Sequence, residues 1–202
     1  MPDSYADLSR FYDLVMTSGY YDYDAYAHAL LTRIGTRADV LELGMGTGLV
    51  ADRLLALGPD DLRLTGIDHT DSMLAQARHR LGGRARFRRE DVLDMSFPPA
   101  FDVAYSVGGV WYIVQDGEES WLSSHLMEEK DNETGLTNLA AAIRPGGSLL
   151  LSVQGPTDAL TEPCPEVCST RSTSRSTPKA GTPRTGCGSP APPLPALPPR
   201  NG

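Results

Sequence analysis

The stretch ADVLELGMGTGLVADRL, Ala38 to Leu54, decides how the chain folds. Its apolar run, Val40, Leu41 and Leu43, ends in three glycines at alternate positions, Gly44, Gly46 and Gly48, and a helix-period pattern follows at once. A short apolar strand that turns directly into a helix is the repeating unit of parallel sheets. Glycines at such a turn adopt tight backbone angles and let a ligand approach the main chain closely. The loop is not a P-loop, because no Gly-Lys-Ser/Thr follows, and Leu49 occupies the place of the third glycine in the dinucleotide fingerprint. Glu42 stands two residues before the first glycine. A carboxylate there repels a pyrophosphate and suits a ligand that carries an ammonium group.

Outward from this turn, strand and helix patterns alternate. SYADLSRFYDLVM, Ser4 to Met16, has Leu8, Phe11, Tyr12 and Val15 at helical spacing with Ser4 as a cap, and Asp22 to Ile34 forms a second helix. After the first strand come a helix from Thr47 to Leu57, a strand from Leu62 to Asp68 and a helix from Asp71 to Leu81. ARFRRED is an exposed strand at a sheet edge, and Phe101 to Val107 is strand four. A long helical stretch is expected from about Glu118 to Ile143, broken near Asn132 to Gly135. Arg144 to Gly147 is a turn, and Ser148 to Gln154 is a fifth buried strand. The order implies an α/β chain: a Rossmann-like, doubly wound, mostly parallel sheet with right-handed crossovers. In such sheets ligands bind beyond the carboxyl ends of the strands, here around Leu43, Asp68, Glu90-Asp91 and Ser106.

Asp68 ends the second strand, where a carboxylate can accept hydrogen bonds from both hydroxyls of a ribose. Asp91 ends the third, with the Val92 amide nearby, and can accept from the exocyclic amine of adenine. VLELGMGTGLVA, LTGIDHTDSMLAQAR, RREDVLDMSF, FDVAYSV and IRPGGSLLLSV stand in the order and spacing of class I S-adenosylmethionine-dependent methyltransferases, which the chain resembles from about Tyr12 to Val153. The resemblance implies S-adenosylmethionine as cofactor. It implies that Gly44, Met45 and Gly46 approach the methionine moiety with Glu42 close by, and that Asp68 holds the ribose. It further implies that His69 and Met73 lie beside ribose or adenine, that Asp91 and Val92 recognise adenine, and that Ser106 and Val107 line the wall next to the sulfonium. Tyr12 matches a tyrosine that small-molecule methyltransferases of this class place over the cofactor, where its face can stabilise the sulfonium.

Methyl transfer is an in-line displacement at an activated carbon, so alignment and exclusion of water matter most. A base is needed only where the acceptor must lose a proton, and His125 and Tyr112 are the candidates. Trp111 and Tyr112 are expected to form an aromatic wall for the acceptor, with core packing as the competing role. Nucleic-acid amino-methylases of the class carry Asn/Asp-Pro-Pro-aromatic after strand four, whereas this chain reads YSVGGVWY. All three cysteines lie after residue 160, which leaves no thiolate for cytosine C5 chemistry.

The formal charge is −8 over 202 residues, an acidic balance that disfavours nucleic acid as a partner. No apolar run approaches the ~20 residues that span a bilayer, and no secretory signal is visible at the start, so the expectation is a cytoplasmic protein without membrane or metal. From residue 161 onward the chain has two acidic residues against five basic ones and ten of the sixteen prolines, a composition expected to be disordered. The expected organisation is a helical cap at 1–36, a cofactor-binding core at 37–160 and this tail at 161–202. The helix and strand pair that complete the sheet in the class are missing from the pattern, which fits either a natural extension or a reading-frame shift. A small-molecule methyltransferase is the leading function. An NAD-dependent oxidoreductase and a non-catalytic methyltransferase-like binding domain are the alternatives.

Overall fold

The computed structural model describes residues 8–19 and 21–155. The Ser4 cap and the tail at 161–202 lie outside the described residues.

The pattern around the glycine turn becomes a five-stranded, wholly parallel sheet in the order β3-β2-β1-β4-β7. Its strands are β1 (Asp39–Leu43), β2 (Arg63–Asp68), β3 (Ala85–Arg89), β4 (Phe101–Ser106) and β7 (Ile143–Leu151). β1 is central and buried almost throughout, as a near-continuous apolar run requires when both faces are covered. On one face Val40, Leu64, Val103 and Tyr105 pack against α2 (Tyr23–Ile34), α3 (Leu49–Leu57) and α4 (Asp71–Leu81) through Leu30, Leu54 and Leu74. On the other face Leu41, Leu43, Ile67 and Ala104 meet Leu139 and Ala142 of α5 (Glu129–Ala142). β3 is an edge strand with arginines on its exposed side, which blunts its pairing potential. Among the described residues β7 is the opposite edge.

The helix ends follow their local chemistry. Asp22 caps α2 by accepting from the Ala25 amide at 2.9 Å. α4 carries Asp71 in its first turn and Arg78, His79 and Arg80 in its last, complementing the helix dipole at both ends. The short helix α1 (Ser9–Met16) leaves Leu8, Phe11 and Val15 largely exposed, so its helical spacing does not mark a buried face.

The long helix expected from Glu118 is corrected by the structure. Trp111–Asp116 and Glu119–Ser124 form an antiparallel hairpin, β5 and β6, turned at Gly117 with φ 58°. Asp116-Gly117 between two β-branched and aromatic runs is a hairpin signal, and here it outweighs the helical reading. α5 then runs unbroken through Asn132 and Gly135. Asn132 is held by tertiary bonds: its Oδ1 accepts from Trp111 Nε1 at 2.8 Å, and its Nδ2 donates to the Leu126 carbonyl at 3.1 Å. A Cβ at Gly135 would meet the Trp111 ring at 2.9 Å, so glycine here permits close packing and breaks nothing.

The expected turn at Arg144 to Gly147 is a bulge inside β7, where pairing steps from Phe101↔Ile143 to Val103↔Ser148. Arg144 donates from there to Asp39 at 2.9 Å and Asp102 at 2.7 Å, tying the amino ends of β1 and β4 together. The fifth strand divides at Ser152: β7 stops before it, and β8 (Val153–Gln154) crosses to pair with β5 in a three-stranded sheet of order β6-β5-β8. Ser152 is buried and bonded three ways. Its amide donates to the Ser106 carbonyl at 3.1 Å, its carbonyl accepts from Ile113 at 2.9 Å, and its hydroxyl accepts from the Gly108 amide at 3.3 Å.

Candidate functional site

The carboxyl ends of β1, β2 and β4 open into two adjoining cavities of about 270 and 80 Å³. Both are bordered by Tyr12, Gly44, Gly46 and Gly108. Gly44, Gly46 and Gly48 all have positive φ, which is what the three glycines of the turn are for. Gly44 backs onto a second glycine loop, Gly108-Gly109: a Cβ on Gly44 would stand 3.1 Å from the Gly109 Cα. At Gly46 an added Cβ would meet nothing within 4 Å, so the Cα of that glycine borders open space.

Asp68 organises the larger cavity. It is 7% exposed, and its Oδ2 accepts from the Gly46 amide at 2.9 Å while Oδ1 accepts from the Thr70 amide at 2.9 Å and from the Thr70 hydroxyl. One carboxylate therefore fixes both the glycine loop and the start of α4, and keeps lone pairs for a ligand. His69, Met73, Asp91 and Val92 line the same cavity, as do Tyr12 and His125. Asp91 Oδ1 accepts from the Leu93 amide at 3.0 Å, which holds its loop in shape. His125 is seated by its own amide, which donates to the Val110 carbonyl at 3.0 Å, and its ring meets Tyr112 edge-on at 6.0 Å.

The smaller cavity is lined by Glu42, Met45 and Val107 together with Tyr12, Tyr21 and Tyr23. Glu42 is 3% exposed and is the register partner of Tyr105 on β4 and Gly66 on β2. The Met45 side chain lies over Gly66, where any Cβ would collide with its sulfur. Burial pushes the Glu42 carboxyl up to about 8, against the pull of the nearby Tyr105 hydroxyl and with the Asp68 charge adding to the rise. The two groups are close without being aligned: Glu42 Oε2 and Tyr105 Oη both lack a hydrogen-bond partner among the described residues.

Three expected site residues border neither cavity. Trp111 is 0% exposed and packs with Leu43, Ile67 and Leu139, so it is core and not an acceptor wall. Ser106 is likewise fully buried, and its hydroxyl accepts from the Trp111 amide at 3.4 Å instead of facing the cavity. Tyr112 stands behind His125 and borders neither cavity. Among residues not singled out from sequence, Thr70, Gly108, Gly109 and Val110 line the larger cavity and Tyr21 and Tyr23 the smaller. The Gly108-Gly109 pair, directly after a strand end, was the readable signal. Among the described residues there is no cluster of three metal-ligating side chains, and no helix is long and apolar enough to cross a membrane.

Comparison with known proteins shows the family. Residues 40–147 match a family model described as a methyltransferase domain. The chain is 33% identical over 136 residues to trans-aconitate 2-methyltransferase of Methylobacterium nodulans, covering 66% of this chain and 45% of that protein. It is 30% identical over 117 residues to malonyl-[acyl-carrier protein] O-methyltransferase of Bacillus cytotoxicus, covering 57% of this chain and 35% of that protein. Among solved structures, the DhpI–SAM–HEP complex superposes with a TM-score of 0.53 at 26% identity, over 72% of this chain and 60% of that one. The chain spans less than half the length of the two curated relatives.

Proposed function

The chain belongs to the methyltransferase domain family, and we propose that it transfers a methyl group from S-adenosylmethionine to a small-molecule N, O or C acceptor. The observation that carries this reading is the set of three carboxylates, Glu42, Asp68 and Asp91, at the ends of consecutive parallel strands around one glycine loop. S-adenosylmethionine fits the residues present. The unpartnered Glu42 Oε2 suits its ammonium, and the open Gly46 backbone gives it room. Asp68 retains acceptor capacity for ribose hydroxyls, and Asp91 with Val92 borders the space for an adenine. When bound, it supplies a methyl group already activated on a sulfonium.

The protein's share of the reaction is alignment. Tyr12 borders both cavities and can offer its ring to a positive centre at their junction. The Gly108-Gly109 loop closes one side, its glycines letting it lie directly against the Leu43-Gly44 backbone and the Tyr21 hydroxyl. His125, fixed through its backbone, borders the larger cavity and takes the proton from an acceptor that must lose one. A cytoplasmic metabolite as acceptor, with no nucleic acid or membrane involved, belongs to the same proposal, and the acidic charge of the chain supports leaving out nucleic acid.

Titration calorimetry with S-adenosylhomocysteine and with NAD tests the reading. Binding of the first, absence of the second, and loss of the first in Asp68→Ala are expected. Binding of NAD alone overturns it. Transfer of labelled methyl from S-adenosylmethionine to a supplied acceptor then tests turnover.

A further inference from the structure

His125 opens a strip of side chains that leads out of the larger cavity. Its amide donates to the Val110 carbonyl, which carries the β5–β6 register one rung beyond Trp111↔Ser124. Residues opposite one another in an antiparallel ladder share a face, and the faces alternate along each strand. Val110 with His125, Tyr112 with Ser123, and Val114 with Trp121 therefore follow one another on a single face of the hairpin. The edge-on ring contact of His125 with Tyr112 agrees with this arrangement at its inner end. Val110 and His125 line the cavity, Tyr112 and Val114 are half-buried, and Trp121 is 48% exposed. Trp111 and Ser124 belong to the opposite face, which turns Trp111 into the core.

The larger cavity holds about 270 Å³. Pockets that enclose a drug-sized ligand run to ~300–1,000 Å³, so a donor nucleoside in this one leaves little room for the body of a second molecule. Only the reacting group of an acceptor then enters, beside His125, and the rest lies on the surface outside. Outward from His125 that surface is Tyr112, Val114 and Trp121, about 13 Å of strand. The next rung on the same face is Asp116 opposite Glu119, two exposed carboxylates, and the hairpin carries no lysine or arginine. We infer that this face of the hairpin is the acceptor platform, and that the acceptor is an elongated molecule with an aromatic or aliphatic body and no anionic group at its far end. The aromatic and β-branched side chains offer apolar area to such a body, and the carboxylate rung repels an anion. The inference rests on the methyl-transfer reading, which fills the cavity with the donor and leaves the strip to the acceptor.

Trp121→Ala and Leu122→Ala provide the test. Leu122 is the next residue on the same strand, as exposed at 47% but on the opposite face. The probes are 4-phenyl-1-butanol and 4-phenylbutyrate, which share a body and differ in charge, titrated by NMR into the S-adenosylhomocysteine complex. Phenylbutanol is expected to bind and to shift the indole signal of Trp121 but not that of Trp111, and phenylbutyrate to bind about fivefold more weakly. Trp121→Ala weakens phenylbutanol roughly tenfold, Leu122→Ala leaves it unchanged, and neither variant alters the affinity for S-adenosylhomocysteine. No binding of phenylbutanol to the unaltered complex, equal losses in the two variants, full binding in Trp121→Ala, or a preference for phenylbutyrate overturns the inference. So does a shift from dimer to monomer on sedimentation of Trp121→Ala, which assigns the face to a second copy of the chain. Failure of S-adenosylhomocysteine to bind the unaltered protein sinks the methyl-transfer reading alone, and phenylbutanol titrated into the free protein and the same two variants then decides the platform.

Discussion

Glu42 and Tyr105 are register partners on adjacent strands, side by side on one buried face, and neither Glu42 Oε2 nor Tyr105 Oη completes a hydrogen bond. Burial keeps Glu42 protonated up to about pH 8, whereas in the unfolded chain it ionises near its ordinary value of 4.5. Between those values the unfolded state binds fewer protons, so stability falls as pH rises through that window. The expected loss is on the order of 4 kcal/mol. Glu42→Gln, which stays neutral, is expected to flatten the slope in urea denaturation at pH 5 and pH 8. An identical slope in both proteins contradicts the assignment.

The same carboxyl ties ligand binding to proton release. An ammonium ion entering beside Glu42 favours the carboxylate, so a proton leaves as the cation arrives. Calorimetry with S-adenosylhomocysteine at pH 7, in buffers of different ionisation enthalpy, is expected to show release of up to about one proton per site. Glu42→Gln abolishes the release. A buffer-independent enthalpy in the unaltered protein argues against ionisation of Glu42 by the ligand.

Asp68→Ala removes the acceptor for the part-buried Gly46 amide and the buried Thr70 amide, so two donors are left to find other partners. A loss of about 2–4 kcal/mol in stability is expected, together with at least tenfold weaker S-adenosylhomocysteine binding. Asp68→Asn, which keeps a carbonyl oxygen, is expected to recover part of the stability. Chemical denaturation and calorimetry read the two effects separately. Full affinity in a folded Asp68→Ala protein rules out contact with the ligand.

The two glycine loops respond differently to alanine. At Gly109 a Cβ would stand 2.4 Å from the Leu43 carbonyl oxygen and 2.9 Å from Ser106 Oγ, so the loops must part. At Gly46 it meets nothing within 4 Å, and only the φ of +55° opposes it. Gly46→Ala is expected to lose about 1–2 kcal/mol of stability and a larger share of ligand affinity, whereas Gly109→Ala loses several kcal/mol. Thermal melts of the two variants check the order, and a milder effect at Gly109 would show that the loops are not in contact.

Much of this architecture was legible because β1 to β4 and the helices between them are built from local signals. The apolar run, the glycine turn and the acids at strand ends all lie within a few residues of where they act, and α4 falls on its expected bounds. The region after β4 was misread for a physical reason. Asn132 and Gly135 resemble helix breakers, but their tolerance inside α5 depends on Trp111, about twenty residues away and on a different element. Periodicity does not register such a partner. The burial of Trp111 has a similar origin, since the chain alone does not say which way β5 faces. Tyr21 and Tyr23 escaped notice because their meeting with Glu42 is made by folding and not by spacing.

Ser152 has a bearing on how short the protein can be made. It fastens the end of β4, the Gly108 loop and the start of β5 at a single point. The family match stops at residue 147, five positions earlier. A chain cut at that limit keeps every strand-end carboxylate but loses Ser148 to Leu151, the part of β7 that pairs with Val103 to Ser106 of β4, together with the Ser152 bonds behind the cleft wall. A chain meant to keep the β4–β7 pairing and the Gly108 loop in place is therefore expected to extend beyond Ser152.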